Sequence, residues 1–546
     1  MLALEMDAVV QVLCSLHVCY NALAPVNRLP PEVLAHVFSF LQVVDRPSVV
    51  EYDPHTTEYD IGWIYATHVC RHWRVVALEH SSLWSNILLD LGSRWAKEFL
   101  RRARMAPITF KMVELGMATG VDVAGTIKQH LGHIREFSIA ARNVGEVHSF
   151  LPSLRGAAPV LEKASLHDNV RHRGGSNTPM LPADLFGRTA PRLRHLKIAC
   201  FRFSWPTLAF GSISHLDIEQ DPRAPRLDEE LHDFEHCLRA LADMPRLEVI
   251  ELKYALPTLP LEIAASFRAS DTPRITLPNL QNLYLHDYVV ECGLLLEHLI
   301  APALLPTETR ISCTLDTARG RGSAYILPWL ASQVHALSES TIRALLIEDL
   351  EDSLHLVAWD SYSPRRGELP ADPENPPEPA GKRVLQFGFD GLATEADEVF
   401  AELEAVWKLL PLNDLKMLSV IGGGYTCQTA QHWVTLLYGC QRVVHLVFTS
   451  FCELSLLKAL ESRMPMGRRG MTPLPALATV TFDEIELTSE NEDLDTKIVK
   501  WLYLRRSLEE VNKVYIRKCV IDRKTRDRIE GAVSEVIWDD EDRQWY

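Results

Sequence analysis

His68, Cys70 and His72 are the side chains in this sequence whose types and spacing come closest to a metal site. On a helix His68 and His72 share a face, being four residues apart, while Cys70 points elsewhere. A zinc centre needs a further pair of ligands at metal spacing, and none lies nearby. Gly422-Gly423-Gly424 follows an expected strand, but no Lys-Ser/Thr pair comes after it to complete a phosphate loop. No Gly-x-Ser-x-Gly elbow occurs. Eleven cysteines are scattered without a Cys-x-x-Cys pair, a pattern that suits reduced thiols in the cytoplasm or nucleus. The residues therefore predict no metal, no cofactor and no catalytic centre. The chain is expected to work by binding and not as an enzyme.

At 546 residues the chain exceeds one compact core, so several units or a repeat array are expected. A net charge of −16 argues against broad binding to nucleic acid or an anionic membrane, both of which need basic patches. The short basic run from Arg463 to Arg469 is broken by Pro465 and Gly467 and reads as a solvated loop. No apolar stretch is long enough to span a bilayer. Residues 1–26 read as an amphipathic helix, with Leu2, Met6, Val9, Leu13, Leu16, Tyr20 and Leu23 at a/d spacing. Glu5 and Asp7 stand where a signal peptide would be basic. This helix is expected to fold back on the region that follows it. Self-association is the alternative.

Residues 27–92 carry the most specific pattern. Leu29-Pro30-Pro31-Glu32-Val33-Leu34 opens a helix, with Pro31 in the first turn, where its missing N–H costs nothing. Val33, Leu34, Val37, Phe38 and Leu41 give that helix an apolar face. After a polar break, Gly62-Trp63 leads into Thr67-His68-Val69-Cys70-Arg71-His72-Trp73, and Val69, Trp73 and Val76 form a second stripe. Leu83-Trp84 closes the stretch. Helices this short bury too little to stand alone and must dock on something.

This stretch resembles an F-box, and in its wording the large fungal F-box-like families. The F-box pattern is a Leu-Pro pair, an acidic-apolar-Leu helix, Val-Cys-Arg-x-Trp and Leu-Trp, and all four occur here in order. The resemblance covers roughly an eighth of the chain. One departure is the segment from Val43 to Ile61, which lengthens the link between the two helices. The resemblance implies docking on a Skp-type adaptor of a cullin ubiquitin ligase. Carried over by motif, the adaptor contacts are Leu29, Pro30, Glu32, Leu34, Val37, Phe38, Val69, Trp73, Leu83 and Trp84.

In the remainder a phrase recurs, apolar-x-x-apolar-x-apolar. Examples are Ile134-x-x-Phe137-x-Ile139, Leu193-x-x-Leu196-x-Ile198 and Leu247-x-x-Ile250-x-Leu252. It continues to Val511-x-x-Val514-x-Ile516, with a degenerate copy at Leu161–Leu166 and a worn strand near Ile311. Many intervals are close to the period of leucine-rich repeats, although the asparagine ladder of that family is mostly missing. Helical patterns at Glu229–Leu241 and Ala396–Leu410 lie between the phrases. The expected fold class is α/β: a helical F-box followed by an irregular leucine-rich-repeat-like solenoid with a parallel, curved sheet. The alternative is an irregular α/β domain in which the phrase is a generic buried strand. The expected domains are residues 1–26, 27–92, 93–521 and an acidic, aromatic tail at 522–546, with a Pro-rich loop at 361–383 inside the repeats.

The third and fifth positions of the phrase should face away from the core, because strand side chains alternate. They nominate His195, Lys197, Glu251, Asn282, Tyr284, Met417, His445 and Tyr515 as contacts to a protein substrate, with Tyr284 as central anchor. The reading is thus a substrate receptor of a Skp–cullin–F-box ligase, binding neither nucleic acid nor membrane. The alternative is a recognition scaffold acting outside the ligase, supported only by the lengthened link.

Overall fold

A computed structural model describes residues 2–538 apart from 54–55, 90, 113–121, 142–143, 170–177, 223–230, 270–273, 305–308, 315–322, 337–341, 352, 363–381, 391–395, 423–425, 451–453, 463–471, 488–491 and 509–510. Most of the Pro-rich loop, the basic run at 463–469 and the acidic end of the tail therefore lie outside the described residues. The chain forms two compact units. One comprises residues 1–226 and 239–247, the other 227–238 and 248–546.

The first unit opens with helix α1 (Leu2–Ala22). Residues 5–20 of α1 are exposed along their whole length, so this helix does not fold back on its neighbours as expected. Helices α2 (Pro31–Val44) and α3 (Arg71–Glu79) follow, joined through an antiparallel hairpin (Ser48–Asp53 and Thr56–Asp60) and a 3-10 turn (Gly62–His68). Because α3 begins only at Arg71, His68 and Val69 precede it. Neither the shared histidine face nor the Val69 end of the expected stripe forms.

From Asn86 the same unit lays down six parallel strands in chain order: Asn86–Leu88, Ile108–Met112, Ile134–Ala141, Lys163–Asp168, His195–Ala199 and His215–Glu219. The second unit begins in the same way with Val249–Lys253, Asn282–Tyr288 and Thr309–Thr314, all parallel. The order then reverses. Thr309–Thr314 pairs with Arg383–Asp390, which is antiparallel to Ser353–Trp359, which is antiparallel to Ala344–Asp349. Ala344–Asp349 pairs in parallel with Met417–Gly422, and regular order resumes through His445–Thr449, Thr479–Asp483, Lys513–Arg517 and Glu535–Trp538. Helix Arg523–Ala532 and this last strand extend the sheet into what the sequence suggested was tail.

The phrase works as the alternation requires. In the copies beginning at Ile134, Leu161, Leu193, Ile213, Leu247, Leu280, Ile342, Val384, Leu415, Val443, Leu477 and Val511, the first, fourth and sixth positions are all buried. The position after the sixth-plus-one, the eighth, carries a second regularity. Cys200, Tyr254, Gly422, Ser450, Glu484 and Lys518 occupy it and all have left-handed φ, between 46° and 74°. In neighbouring strands the same position holds buried Asp168, Asp287 and Asp349. Asp287 accepts the amide of Leu256 at 2.8 Å, and Asp349 that of Thr426 at 3.1 Å. These carboxylates satisfy exit-loop amides that would otherwise be buried without a partner. They take the place that an asparagine ladder holds in a regular array. The fold is thus N-terminal helices followed by a large, mostly parallel sheet with helices, consistent with a solenoid-like repeat domain.

Candidate functional site

Helix α2 is apolar on two sides. At about 100° per residue, Leu34, Ala35 and Phe38 share one face and Val33, Val37, Phe40 and Val44 share another. The first face is interior: Leu34 and Phe38 are fully buried. The second is solvent-facing, with exposures of 45% for Val33, 40% for Val37, 62% for Phe40 and 85% for Val44. Runs of large apolar side chains exposed on one helix face are a common feature of interaction surfaces. Val43, Tyr65, Val69 and Val75 are exposed apolar residues of the same region.

The interior that supports this stripe is dense. Phe38 lies 5.3 Å from the ring of Trp73, whose Nε1 donates to Asn27 Oδ1 at 2.6 Å. Trp63 packs edge-on against Trp84 at 5.1 Å, and Trp84 Nε1 donates to the Ala77 carbonyl at 2.8 Å. Gln42 reaches from α2 to the Leu83 carbonyl at 3.0 Å. The row continues beyond residue 92: Trp84 meets Phe99 of α4 (Ser93–Ala103) at 5.1 Å, with Arg102 above its ring at 4.1 Å.

The lengthened link is an excursion on a closed base. Trp63 N donates to the Asp45 carbonyl at 2.8 Å, and Gly62 N to Asp60 Oδ1 at 2.9 Å. Gly62 has φ +48° and lies so near Asp45 that an added Cβ would stand 2.5 Å from its carbonyl oxygen. Only glycine fits there without strain. The hairpin leaves and rejoins the chain at one point, and α2 packs on α3 across it through Phe38 and Trp73.

These contacts sort the residues carried over by motif. Leu34, Phe38, Leu83 and Trp84 are buried in the core, and Trp73 is half-buried within it. Pro30, Glu32, Val37 and Val69 are exposed, and Leu29 is half-buried. Val33, Phe40 and Val44, not among the residues carried over, share the exposed face of Val37. Their signal was in the sequence, since α2 has apolar residues on more of its circumference than one core face uses.

Residues 26–90 match the F-box-like family model. This region is an F-box-like domain. No curated protein matches the chain. Among the described residues no helix is long and apolar enough to cross a membrane.

The nominated substrate contacts divide between the two units. In the first, His195 stacks on His215 at 4.2 Å and Lys197 pairs with Asp217 at 2.5 Å. In the second, Glu251 and Tyr284 sit side by side in register, with Lys253 Nζ 5.6 Å above the Tyr284 ring. Burial raises the pKa of the Tyr284 hydroxyl above its usual value. Asn282 is exposed and Tyr515 half-buried.

Met417 and His445 depart from expectation. Met417 is buried in a second apolar cluster with Ala344, Leu346, Trp359 and Val447, on the side of the sheet expected to be open. Tyr362, at the root of the Pro-rich loop, adds to that cluster and its hydroxyl meets His445 Nδ1 at 3.0 Å. Burial holds His445 neutral, with a pKa near 4. The face is therefore covered here, and Met417 is a core residue.

A polar network stands beside it. Asp390 meets His355 Nε2 at 3.0 Å and His286 Nε2 at 3.3 Å, and accepts from Ser312; the Tyr254 hydroxyl meets His286 at 2.9 Å. Burial works against a charged His355, but its hydrogen bonds to Asp390 and Glu348 outweigh it and raise its pKa to about 9.

Proposed function

We propose that the chain is the substrate-recognition subunit of a Skp–cullin–F-box ubiquitin ligase. The observation that carries this reading is the exposed stripe Val33, Val37, Phe40 and Val44 on an F-box-like domain whose interior is otherwise filled. Fully burying one such side chain contributes roughly 1.5–3 kcal/mol, so the stripe supplies part of the drive for docking. The closed base of the hairpin adds support, because the insertion does not separate the helices that an adaptor would grip. The repeats would hold a protein substrate, with Tyr284 as an anchor. The chain itself would perform no covalent step. Free cysteines, with no disulfide among the described residues, suit the cytoplasm or nucleus.

Co-purification with a Skp-type adaptor tests the proposal. The Val37→Asp, Phe40→Asp double variant should fold normally and lose the adaptor. Leu34→Asp, Phe38→Asp should instead unfold the domain. Undiminished adaptor capture by the folded stripe variant would sink the assignment of this face. Replacing Tyr284 with Ala should weaken substrate capture and leave the adaptor bound.

A further inference from the structure

The first unit carries a row of arginines just ahead of strands. Arg192 and Arg246 each follow a proline and precede the first apolar residue of their phrase, as Pro191-Arg192-Leu193 and Pro245-Arg246-Leu247. Arg194 comes one position into its phrase, and Lys163 opens the neighbouring strand. The backbone brings them together. Arg194 N donates to the Glu162 carbonyl at 2.9 Å, and Lys163 and His195 are register partners. Adjacent strands are about 4.8 Å apart, so these charges lie within reach of one ligand.

They line an open cleft of about 590 Å³, which Glu162 alone offsets with a negative charge. It runs into a second of about 440 Å³ through shared Pro191, Ser212 and Arg246. Arg188 borders the second and is anchored, donating to the carbonyls of Pro206 and Thr207 at 2.6 and 2.9 Å. Arg192, Arg194 and Arg246 are exposed, and among the described residues none of the three makes an ion pair. A chain of net charge −16 has acidic groups to spare for pairing them.

We propose that this cleft binds an anionic peptide segment bearing carboxylate or phosphate groups. Guanidinium groups present paired N–H donors that match either anion, and three unpaired ones at one cleft give both charge and direction. A nucleic acid fits less well. Of the rings in the lining, Phe210 is covered by Arg188 at 5.6 Å and His195 is already stacked on His215 at 4.2 Å, which leaves little platform for stacking bases. As a statement about the substrate this rests on the receptor reading above, but the cleft does not need the adaptor to bind its peptide.

The test uses the full chain and fluorescence anisotropy at low salt. The probes are a labelled hexaglutamate peptide and a peptide of equal length carrying two phosphoserines. At least one should bind, and binding should weaken as salt screens the cleft. Arg192→Glu, Arg246→Glu should lower affinity by about tenfold or more. The milder Arg192→Gln, Arg246→Gln pair should give a smaller loss and covers the case in which charge reversal disturbs folding. Binding of the phosphopeptide alone, displaced by inorganic phosphate, identifies phosphate as the preferred anion. Unchanged affinity in both folded variants overturns the proposal. So does failure of both peptides to bind, or tighter binding of a single-stranded oligonucleotide. Adaptor capture is read separately on the same variants. If the unmodified chain captures no adaptor yet binds peptide, the receptor reading falls and the cleft stands.

Discussion

Both carboxylate oxygens of Asp349 lie 3.1 Å from the backbone amide of Thr426. That amide belongs to the exit loop of the neighbouring strand, whose Gly422 is the register partner of Asp349. Removing the carboxylate leaves a buried donor unsatisfied, which costs about 1–3 kcal/mol. Asp349→Ala should lower stability by that amount in urea denaturation, and Asp349→Asn, which keeps one acceptor, by less. An Ala variant as stable as the parent would show that the loop is held by something else.

The left-handed residue at the eighth position gives a paired prediction. Ser450 holds φ +64° although it carries a Cβ, and a left-handed L-residue is disfavoured by roughly 1–2 kcal/mol. Ser450→Gly should raise the melting temperature, by somewhat less than that figure implies because glycine also loses more chain entropy. Gly422→Ala should do the reverse. Its φ is +74°, and a Cβ would stand 2.5 Å from the Asp349 carbonyl oxygen. The expected loss is about 1–3 kcal/mol. Equal melting temperatures for both variants and the parent would mean that the loops relax freely.

Trp84 and Phe99 tie the F-box-like domain to the first repeat. Trp84→Ala removes a fully buried indole and should cost roughly 3–5 kcal/mol. Hydrogen exchange should then rise together in α2 and in the strand Ile134–Ala141. If α2 alone loses protection, the two regions have separate cores and a boundary at residues 92/93 is the right one. A fragment starting at Ser93 would lose both Trp84 and the strand Asn86–Leu88, so its solubility is a second measure of the same coupling.

Two histidines set opposite pH limits in the second unit. His355 is raised from 6.5 to about 9, so its contribution is fully present below 6.5 and is lost as pH rises through about 9. His445 is depressed from 6.5 to about 4, so the unfolded chain binds the extra proton and stability falls as pH drops from 6.5 towards 4. Melting temperature should therefore fall on both sides. His355→Gln should flatten the alkaline limb and leave the acid one, while His445→Gln should do the opposite. An alkaline limb unchanged in the His355 variant would count against the Asp390–His355–Glu348 network.

Much of this fold was legible in residue types. Leu196 and Ile198, or Phe387 and Phe389, announce buried strand positions because alternation is fixed by the pleat. Ser353–Trp359 was not read, because Leu354, Leu356 and Ala358 alternate without the upstream anchor that marks the other copies. The covered face around Met417 had a signal that was passed over. Ala344 to Ile347 and Met417 to Ile421 are nearly continuous in apolar residues, which indicates burial on both faces. The eighth position had no signal, since Cys, Tyr, Gly, Ser, Glu and Lys share no chemistry and are united only by backbone conformation. In the F-box-like domain the carried-over residues fall on both sides of the chain, Leu34, Phe38, Leu83 and Trp84 inside and Pro30, Glu32, Val37 and Val69 outside, because the pattern includes residues that build the core.

The reversed strand order has a consequence for synthesis. Arg310 pairs with Gln386, a separation of 386 − 310 = 76 residues. At about 5–20 residues per second, roughly 4–15 s pass on the ribosome between the appearance of one strand and of its partner. During that time one side of Thr309–Thr314 is an open edge, ready to pair with any extended segment nearby. The same interval releases Ala344–Asp349 and Ser353–Trp359, which must wait their turn on the far side of Arg383–Asp390. Mispairing of the nascent chain has its widest opening here.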